Sequence, residues 1–362
     1  MRNLLVTGGA GFIGSNFVRY ILGKEPGVRV VVLDALTYAG SLENLKDLPD
    51  EDRHTFVHGD ICDRPLVDRL LREHAIDTIV HFAAESHVDR SILDPAPFIQ
   101  TNVVGTFTLL EAARQAWLAD GSVPSSEARF LHVSTDEVYG SLEPGEPAFT
   151  EDSPYAPSSP YAASKAAADH LVRAFSRTYG LPILICNCSN TYGPYQYPEK
   201  LIPLVILNAL EARELPIYGD GQQRREWLHV DDLCEGMLAM LRRGRLGEAY
   251  NLGTDDRLTN AEAIERICRL LDDFHPRSDI IAHGALITHV ADRPGHDRGY
   301  ALDARKIRTE LGWEPLRGLE DGLRETVVWY LEHWDWLLAI QGRPSYQLWY
   351  ESNYARREAL RR

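Results

Sequence analysis

The sequence has little of what marks a membrane-spanning, secreted or nucleic-acid-binding protein. Apolar residues make up 44% of the 362, yet no run approaches the roughly 18–20 residues that a membrane helix needs. The apolar run that begins at Leu4 soon ends in glycines, so we expect no secretory signal. Acidic residues outnumber basic ones by 53 to 38, and the net charge of −15 disfavours nucleic acid and anionic membranes as partners.

Cysteine is also scarce, and no Cys-x-x-Cys pair occurs. The five cysteines are Cys62, Cys186, Cys188, Cys234 and Cys268. An odd and scattered set favours buried free thiols in a reducing compartment over disulfides or a metal site. We therefore predict a cytoplasmic protein with no metal ion. His87 and His296 have no partner at ligand spacing, and we expect them to form hydrogen bonds.

Short β-branched segments alternate with longer helical patterns through the first half of the chain. The predicted strands are residues 4–7, 28–33, 55–58, 78–82, 129–133 and 183–188. The predicted helices between them are residues 14–22, 64–74, 103–117 and 161–178. Such alternation predicts an α/β fold with a Rossmann-type doubly wound parallel sheet.

The pattern changes after about residue 190, where Pro-rich and Gly-rich turns become frequent. We predict a Rossmann domain over residues 1–189 with a return segment near 226–253. A smaller C-terminal α/β lobe for substrate is predicted over residues 190–340. The tail, residues 341–362, carries Arg356, Arg357, Arg361 and Arg362, and from Gly342 onward we expect a surface appendage.

A glycine-rich turn follows the first predicted strand. Gly8, Gly11 and Gly14 have the spacing that lets a backbone approach a pyrophosphate at a helix N-terminus. Asp34 closes the second strand, where a carboxylate accepts hydrogen bonds from a ribose diol and repels a 2′-phosphate. No basic side chain follows over residues 35–37. The first domain is therefore predicted to bind NAD rather than NADP.

Tyr161 and Lys165 are four residues apart on a predicted helix and so share one face. A nearby ammonium, aided by the charge of an oxidised nicotinamide, favours a phenolate that can take a hydroxyl proton. Tyr-x-x-x-Lys alone is a common helix-surface pattern. Here it follows a dinucleotide motif and a strand ending in Ser134 and Thr135, which favours a catalytic pair.

Asp136 and Glu137 directly follow that strand. One interpretation is an acidic pair that caps backbone N–H groups. The other is a functional pair, because ligands in such sheets bind beyond the carboxyl ends of the strands. Adjacent side chains of a strand point to opposite faces. For both acids to face one ligand, the chain must therefore leave strand geometry at Thr135.

These motifs together resemble the extended short-chain dehydrogenase/reductase family and, more narrowly, the family of dTDP-glucose 4,6-dehydratases. The resemblance runs from residue 1 to about 335. Its remaining segments are residues 36–40, 84–91, 134–140, 195–203 and 293–298. Sugar epimerases of the superfamily usually lack the acid pair of Thr135-Asp136-Glu137. This segment therefore distinguishes a dehydratase from an epimerase.

The resemblance implies conversion of dTDP-D-glucose to dTDP-4-keto-6-deoxy-D-glucose plus water, a hydro-lyase reaction with bound NAD. Carbon 4 is oxidised, water is eliminated across carbons 5 and 6, and hydride returns to carbon 6. Tyr161 would be the base for oxidation, assisted by Lys165 and Thr135. Glu137 would remove the 5-proton, and Asp136 would protonate the departing hydroxyl. Such an acid needs a raised pKa.

The family also implies which positions contact the two ligands. Those predicted for NAD are Gly8, Gly11, Phe12, Ile13, Gly14, Asp34, Leu36, Thr37, Asp60, Ile61, Phe82, Ala83, Ala84, Ser86, Thr101, Tyr161 and Lys165. Those predicted for the nucleotide sugar are Ser86, Thr135, Asn190, Glu199, Lys200, Leu201, Pro216, Tyr218, Arg225, Asn260, Asp297 and Arg298.

The chain departs from the family pattern at three positions near these ligands. Thr191 stands where a second asparagine is common, Glu226 replaces an aspartate, and Gly299 follows Arg298 where a second arginine is common. None of the three belongs to the acid pair. The preference for thymidine over uridine therefore rests on overall likeness rather than on an identified contact with the base.

Two other functions and one assembly question stay open at this level. A nucleotide-sugar 4-epimerase would use the same Tyr161 and Lys165 but would change no mass, and UDP-glucose is an alternative substrate. A catalytically silent NAD-sensing protein would bind the cofactor without turnover. Apolar residues over 103–117 and 161–178 fit a helix-paired homodimer, as in relatives, or burial within the monomer.

Overall fold

A seven-stranded parallel sheet forms the centre of the first lobe of the computed structural model, which describes residues 1–355. Its strands are β1 (Asn3–Thr7), β2 (Arg29–Asp34), β3 (His54–His58), β4 (Thr78–His81), β5 (Arg129–Thr135), β6 (Ile183–Cys188) and β10 (Ala249–Leu252). Their order is β3-β2-β1-β4-β5-β6-β10. The predicted doubly wound parallel fold is confirmed.

Helices cover both faces of this sheet, which explains why its central strands are buried and mostly apolar. The helices of the first lobe are α1 (Phe12–Lys24), α2 (Arg64–Glu73), α3 (Val88–Leu93), α4 (Ala96–Phe98), α5 (Thr106–Ala113), α6 (Pro160–Tyr179), α8 (Val230–Arg243) and α10 (Arg305–Leu311). The π-helical segments Ile99–Gly105 and Arg114–Ala119 continue α4 and α5. Within residues 1–355, none of the helices combines the length and the hydropathy that crossing a bilayer requires.

The second lobe is built from two small sheets and the remaining helices around its own apolar core. One sheet contains β7 (Asn190–Tyr192), β9 (Arg224–His229) and β11 (Arg257–Thr259), and the other contains β8 (Leu215–Tyr218) and β12 (Ile287–Val290). The helices are α7 (Leu201–Leu210), α9 (Asn260–Phe274), α11 (Leu319–Glu332), α12 (Trp334–Gln341) and α13 (Pro344–Tyr350).

The chain crosses between the lobes more than once. After β9 it returns to the first lobe, where α8 packs in the same core as α1 and β10 pairs with β6. Ile307 and Leu311 of α10, followed by Trp313, are buried in that same core. The predicted substrate lobe over 190–340 is therefore wrong for this stretch, because its apolar side chains cover α8 rather than the second lobe.

The predicted surface appendage beyond Gly342 is also wrong for the described part of the tail. Tyr346 and Trp349 of α13 are buried in the second core. The Trp349 ring lies 5.6 Å from the ring of His87, which belongs to the first lobe. Aromatic side chains thus dock the tail between the lobes. The four tail arginines, Arg356, Arg357, Arg361 and Arg362, lie outside the described residues.

Candidate active site

Two cavities open beyond the carboxyl ends of the central strands, on either side of Glu137, which lines both. In the strand order the direction of winding reverses between β1 and β4. Ligands in doubly wound sheets bind in the crevice at this reversal. One cavity lies against the sheet and the other against the second lobe.

Glycines after β1 let the backbone pack at distances that no side chain permits. A Cβ on Gly8, whose φ is 70°, would lie 2.6 Å from the Ala83 backbone nitrogen. A Cβ on Gly14 would lie 2.2 Å from the Gly8 carbonyl oxygen. Gly11 is the N-cap of α1, and the first residues of this helix line the cavity. The free N–H groups of that turn suit a pyrophosphate.

Asp34 lies at the carboxyl end of β2, on the wall of the same cavity. Its carboxylate accepts hydrogen bonds from the backbone N–H groups of Ala10, at 2.9 Å, and of Leu36, at 2.8 Å. Burial raises its pKa, while the two N–H groups lower it. Each oxygen keeps a second lone pair for a ribose hydroxyl, so the geometry fits a dinucleotide without a 2′-phosphate.

The predicted NAD positions line this cavity with one exception. Those at its wall are Gly8, Gly11, Phe12, Ile13, Gly14, Asp34, Thr37, Asp60, Ile61, Phe82, Ala83, Ala84, Ser86, Thr101, Tyr161 and Lys165. Leu36 is not part of the wall, because its side chain packs against the apolar core of the first lobe. The residues that line the cavity therefore suit NAD.

Strand β5 ends at Thr135. As the sequence predicts, a turn at this point is required if both acids are to face one ligand. Asp136–Tyr139 form a single 3₁₀ turn, and the Thr135 side chain caps it by accepting a hydrogen bond from the Glu137 backbone N–H at 3.3 Å. Asp136 and Glu137 consequently line one cavity together with Tyr161 and Lys165. Capping is thus carried out by the threonine, which leaves the two carboxyl groups available to a ligand.

Asp136 is buried, with 1% of its surface exposed. The Thr135 hydroxyl donates to its Oδ1 at 3.1 Å, whereas Oδ2 has no hydrogen-bond partner within residues 1–355. Burial, and then the neighbouring charge of Glu137, raises the pKa of Asp136 well above its usual range. An unpaired buried carboxyl oxygen is costly when it is ionised, so the site favours the protonated form of Asp136.

Glu137 lies where the two cavities meet. Burial raises the pKa of its carboxyl group, and the positive charges of Lys200, Arg225 and Arg293 oppose this shift. A raised pKa makes the carboxylate a stronger base, while the cations keep part of it ionised. The adjacent acids thus have environments that suit different protonation states.

Tyr161 and Lys165 occupy the first two turns of α6. The Ser159 hydroxyl caps this helix by accepting a hydrogen bond from the Ala162 N–H at 3.1 Å. The Lys165 ammonium donates to the carbonyl oxygen of Val133 at 2.7 Å. Both side chains are buried and line the cavity. The capped helix therefore aims the pair at the end of β5.

The protein's own groups do not favour the phenolate expected at Tyr161. Burial raises its pKa well above the usual range, and the charge of Glu137 raises it further, while a hydrogen bond with Thr135 lowers it. Burial also lowers the pKa of Lys165, against a raising effect of Asp169. The expected phenolate thus depends on the positive charge of a bound oxidised nicotinamide.

The second cavity lies against β8, β9 and α7 of the second lobe. The predicted nucleotide-sugar positions at its wall are Asn190, Glu199, Lys200, Leu201, Pro216, Tyr218, Arg225, Asn260 and Asp297. Ser86 and Thr135 line the first cavity instead. The nucleotide part of a ligand would therefore lie in the second lobe, with its sugar directed towards Glu137.

Three cations converge on this cavity although the chain as a whole is acidic. Arg225 is buried and holds its guanidinium 4.5 Å from the centre of the Tyr300 ring, and Lys200 and Arg293 line the same wall. All three lower the pKa of Glu137 through their charge. Cations fixed in this way suit a diphosphate.

The chain is similar to known proteins over nearly its whole length. A family model described as GDP-mannose 4,6 dehydratase matches residues 5–326. A dTDP-glucose 4,6-dehydratase of Xanthomonas campestris pv. campestris (strain B100) is 57% identical over 341 residues, which are 94% of this chain and 96% of that protein. The chain belongs to the dTDP-glucose 4,6-dehydratase family. The sequence-based assignment to this family is confirmed.

Two further relatives agree with this family membership. The dTDP-glucose 4,6-dehydratase 1 of Escherichia coli (strain K12) is 52% identical over 363 residues, covering 98% of this chain and 99% of that protein. The crystal structure of DesIV, a dTDP-glucose 4,6-dehydratase from Streptomyces venezuelae with NAD and TYD bound, superposes with a TM-score of 0.84 at 50% identity. It covers 93% of this chain and 99% of its own.

Two positions predicted for the substrate of this dehydratase family have other contacts here. Both carboxylate oxygens of Glu199 are engaged, because the Tyr38 hydroxyl donates to one at 2.9 Å and the Arg90 guanidinium donates to the other at 3.1 Å. Arg298 is not at the cavity wall. Its half-exposed side chain pairs with Asp220 at 3.2 Å on the surface, where a counter-charge is close and no desolvation is needed.

Several residues at the wall of the second cavity were missed by the sequence analysis. They are His87, Asp89, Arg293, His296, Tyr300 and Tyr354. Arg293 and His296 stand in a segment that carried the family resemblance, so their signal was present but was not assigned to a ligand. Tyr354 had no signal, because only the docking of α13 brings the end of the tail to the cavity.

Proposed function

We propose that this chain is an NAD-dependent dTDP-glucose 4,6-dehydratase. The observation that carries the proposal is the adjacent pair Asp136 and Glu137, which shares a cavity wall with Tyr161. A dehydrogenase or an epimerase needs the tyrosine and the dinucleotide but has no use for a second acid and base. Elimination of water needs both. The family membership and the bound NAD of the DesIV structure support the same function.

The first step is oxidation of the sugar at carbon 4. When bound, NAD supplies reversible hydride transfer. Tyr161 would take the proton of the 4-hydroxyl group, and the Thr135 hydroxyl would redirect its hydrogen bond from Asp136 to the same oxygen. Lys165, buried one turn further along the same helix, would place its ammonium near the phenolate. General base catalysis of this kind contributes about 10²–10⁴-fold to the rate.

The second step is elimination across carbons 5 and 6. The new 4-ketone acidifies the 5-proton, which the Glu137 carboxylate removes. A hydroxide ion is a poor leaving group, so Asp136 donates its proton to the 6-hydroxyl as the carbon–oxygen bond breaks. The raised pKa of Asp136 keeps that proton available near neutral pH. The conjugated ketone would then take a hydride at carbon 6, the chemistry that NAD supplies when bound, and the Glu137 carboxyl group would return a proton to carbon 5.

Recognition of the substrate is assigned to the second lobe. Lys200, Arg225 and Arg293 would neutralise the diphosphate, and Asn190 and Asn260 supply amide groups for the nucleoside. The carbonyl of Ser86 accepts a hydrogen bond from the Lys200 ammonium at 2.7 Å, which fixes the position of that cation. Overall likeness to the relatives favours thymidine over uridine.

The test is a product analysis of the purified protein with dTDP-glucose and, in parallel, UDP-glucose in heavy water. We expect a product that has lost one water and carries one solvent deuterium at carbon 5, formed faster from dTDP-glucose. No net reduced cofactor is released. A product of unchanged mass would instead identify a 4-epimerase, and cofactor binding without any turnover would identify an NAD-sensing protein.

We further propose that two copies pair through the outer face of the helices over 92–119 and 160–179. Apolar side chains are exposed there, at 69% for Leu93, 50% for Ile99, 45% for Phe107 and 49% for Tyr179. A set of this kind on adjoining helices is typical of an interface. Sedimentation analysis should give a dimer for the native chain and a monomer for Phe107→Glu. A native monomer would contradict the proposal.

A cytoplasmic location is proposed on the state of the thiols. The five cysteines are all free, and four of them are buried. Unpaired buried thiols are typical of proteins kept in a reducing compartment. Fractionation of cells that produce the chain should find it with cytoplasmic enzymes, and recovery from an oxidising compartment would contradict this location.

A further inference from the structure

The loop of residues 36–45 lies between the NAD cavity and the second lobe. Thr37, Ala39 and Gly40 line the cavity. On its inner side the loop is tied to the glycine-rich turn, because the Ser41 backbone N–H and the Asn44 side-chain amide both donate to the Ala10 carbonyl oxygen, at 3.0 and 2.9 Å. The loop therefore forms one wall of the cavity and is held against the glycine-rich turn.

The C-terminal segment holds this loop from the opposite side. Arg343 donates one hydrogen bond to the Gly40 carbonyl oxygen at 3.0 Å and another to the Ser41 hydroxyl at 2.6 Å. Trp336 donates its ring N–H to the side-chain oxygen of Asn44 at 2.8 Å. The two donors belong to a segment that is folded onto the second lobe, so they connect the loop to a rigid support.

A third contact joins the loop to the second lobe nearer the sugar. Tyr38 donates its hydroxyl proton to Glu199, and the guanidinium of Arg90 lies 3.8 Å from the centre of the Tyr38 ring. Arg90 also pairs with Glu199 at 3.1 Å. The Glu199 side chain is 1% exposed, so this contact is shielded from solvent.

The two ends of the loop are anchored, because Leu36 and Leu45 pack against the apolar core of the first lobe. Between them Thr37 and Leu42 are exposed, while Tyr38 and Ala39 pack against the core of the second lobe. Leu36 also has a positive φ of 48°, which a leucine rarely adopts. The middle of the loop therefore depends on its contacts with the second lobe, and their loss should let this part open more often.

We propose that Arg343 and Trp336 hold the 36–45 loop closed over the dinucleotide and so keep NAD bound throughout the reaction cycle. The inference rests on the proposed function, since a dehydratase returns its cofactor to the starting state and gains from never releasing it. Arg343 and Trp336 line neither of the two cavities. They are positioning residues that act through the loop.

The experiment measures cofactor exchange rather than turnover. Holoenzymes of the native chain, Arg343→Gln, Trp336→Phe and Gln341→Ala are mixed with excess radiolabelled NAD, and incorporation of label is followed without any nucleotide sugar. Gln341→Ala is the matched control, because Gln341 ends α12 and donates to Glu211 of the second lobe, away from the loop.

The loss of a hydrogen bond to a charged donor predicts exchange about tenfold faster in Arg343→Gln. Trp336→Phe, which loses a neutral donor, should exchange about threefold faster. Gln341→Ala should match the native chain. Backbone amides over 36–45 should exchange hydrogen faster in the first two variants only, and the kcat of these variants at saturating NAD should stay within about twofold.

Native exchange rates in both loop variants would overturn the proposal, and so would equal acceleration in Gln341→Ala. Should Arg343→Gln fail to fold, as judged by its circular dichroism, Trp336→Phe alone decides, because it keeps the ring that packs in the second lobe. The cofactor-exchange and hydrogen-exchange measurements need no nucleotide sugar. Its result is therefore independent of whether the chain dehydrates dTDP-glucose.

Discussion

The groups expected to do the chemistry and the groups expected to hold the nucleotide are built in different ways. The former come from the end of β5, the 3₁₀ turn that follows it and the start of α6, and both the turn and the helix are capped. The latter come from strands and loops of the second lobe, where Arg225 and Arg293 lie over tyrosine rings. Regular elements hold the reacting side chains in a fixed geometry, whereas loops outside those elements determine which ligand binds.

The largest expected effect on kcat comes from a substitution among the groups that do the chemistry. Tyr161→Phe removes the base for the 4-hydroxyl and should lower kcat by about 10²–10⁴-fold with little change in the affinity for dTDP-glucose. Steady-state kinetics and calorimetric titration measure the two quantities. Tyr155→Phe is the control, because its hydroxyl bonds to the buried Asp169 and not to a ligand. Equal losses in both variants would mean that packing, not proton transfer, is disturbed.

The pH dependence of kcat sharpens the same comparison. Burial and Glu137 raise the pKa of Asp136, so the native chain should lose activity as pH rises through that pKa and the acid loses its proton. The side chain of Asp136→Asn has no acidic proton to give to the leaving hydroxyl group. We therefore expect its kcat to be about 100-fold lower and its pH profile to lack this alkaline decrease. An unchanged alkaline decrease in the variant would assign the titration to another group.

A smaller effect is expected among the groups that hold the nucleotide. Arg225→Lys keeps the charge but loses the planar fork beside Tyr300, and should raise KM for dTDP-glucose about tenfold while kcat changes little. The neighbouring Arg224, which is exposed on the same strand, provides the control as Arg224→Lys. A fall in kcat without a change in KM would contradict the assignment of Arg225 to ligand binding rather than to the chemistry.

The smallest effect concerns stability in the second lobe. Burial raises the pKa of Glu226 to about 8, while its carboxylate accepts hydrogen bonds from the N–H groups of Thr254 and Leu302. Between roughly pH 4 and 8 the folded state keeps a proton that the unfolded chain has released, so the free energy of unfolding should fall as pH rises. Glu226→Gln should flatten this slope in urea titrations. An identical slope in the variant would contradict the assignment.

The same division explains how far the sequence predicted the molecule. The alternation of strands and helices, the glycine turn and the pair Tyr161 and Lys165 are local patterns, because neighbouring residues share one element. Their elements lie within a few residues of the predicted bounds, apart from the longer helical run over 96–119. The sequence also predicted that the backbone must turn at Thr135.

What could not be predicted depends on contacts between distant segments. The Leu36 side chain packs against the core of the first lobe, and Arg298 forms an ion pair with Asp220 at the surface. Glu199 is engaged by Tyr38 and Arg90, which are more than 100 residues away in the sequence. Tyr354 reaches the second cavity only because α13 is buried. Sequence spacing contains no signal for such pairings, which arise from packing in three dimensions.

The most direct test of the acid pair is a single turnover of Glu137→Gln with dTDP-glucose, followed by the absorbance of the reduced cofactor. Tyr161 and NAD remain, so oxidation should proceed, and the variant should accumulate reduced cofactor that decays only slowly because the 5-proton stays in place. Return of the absorbance at the native rate, with formation of the dehydrated product, would contradict the role of Glu137 and with it the account of the site.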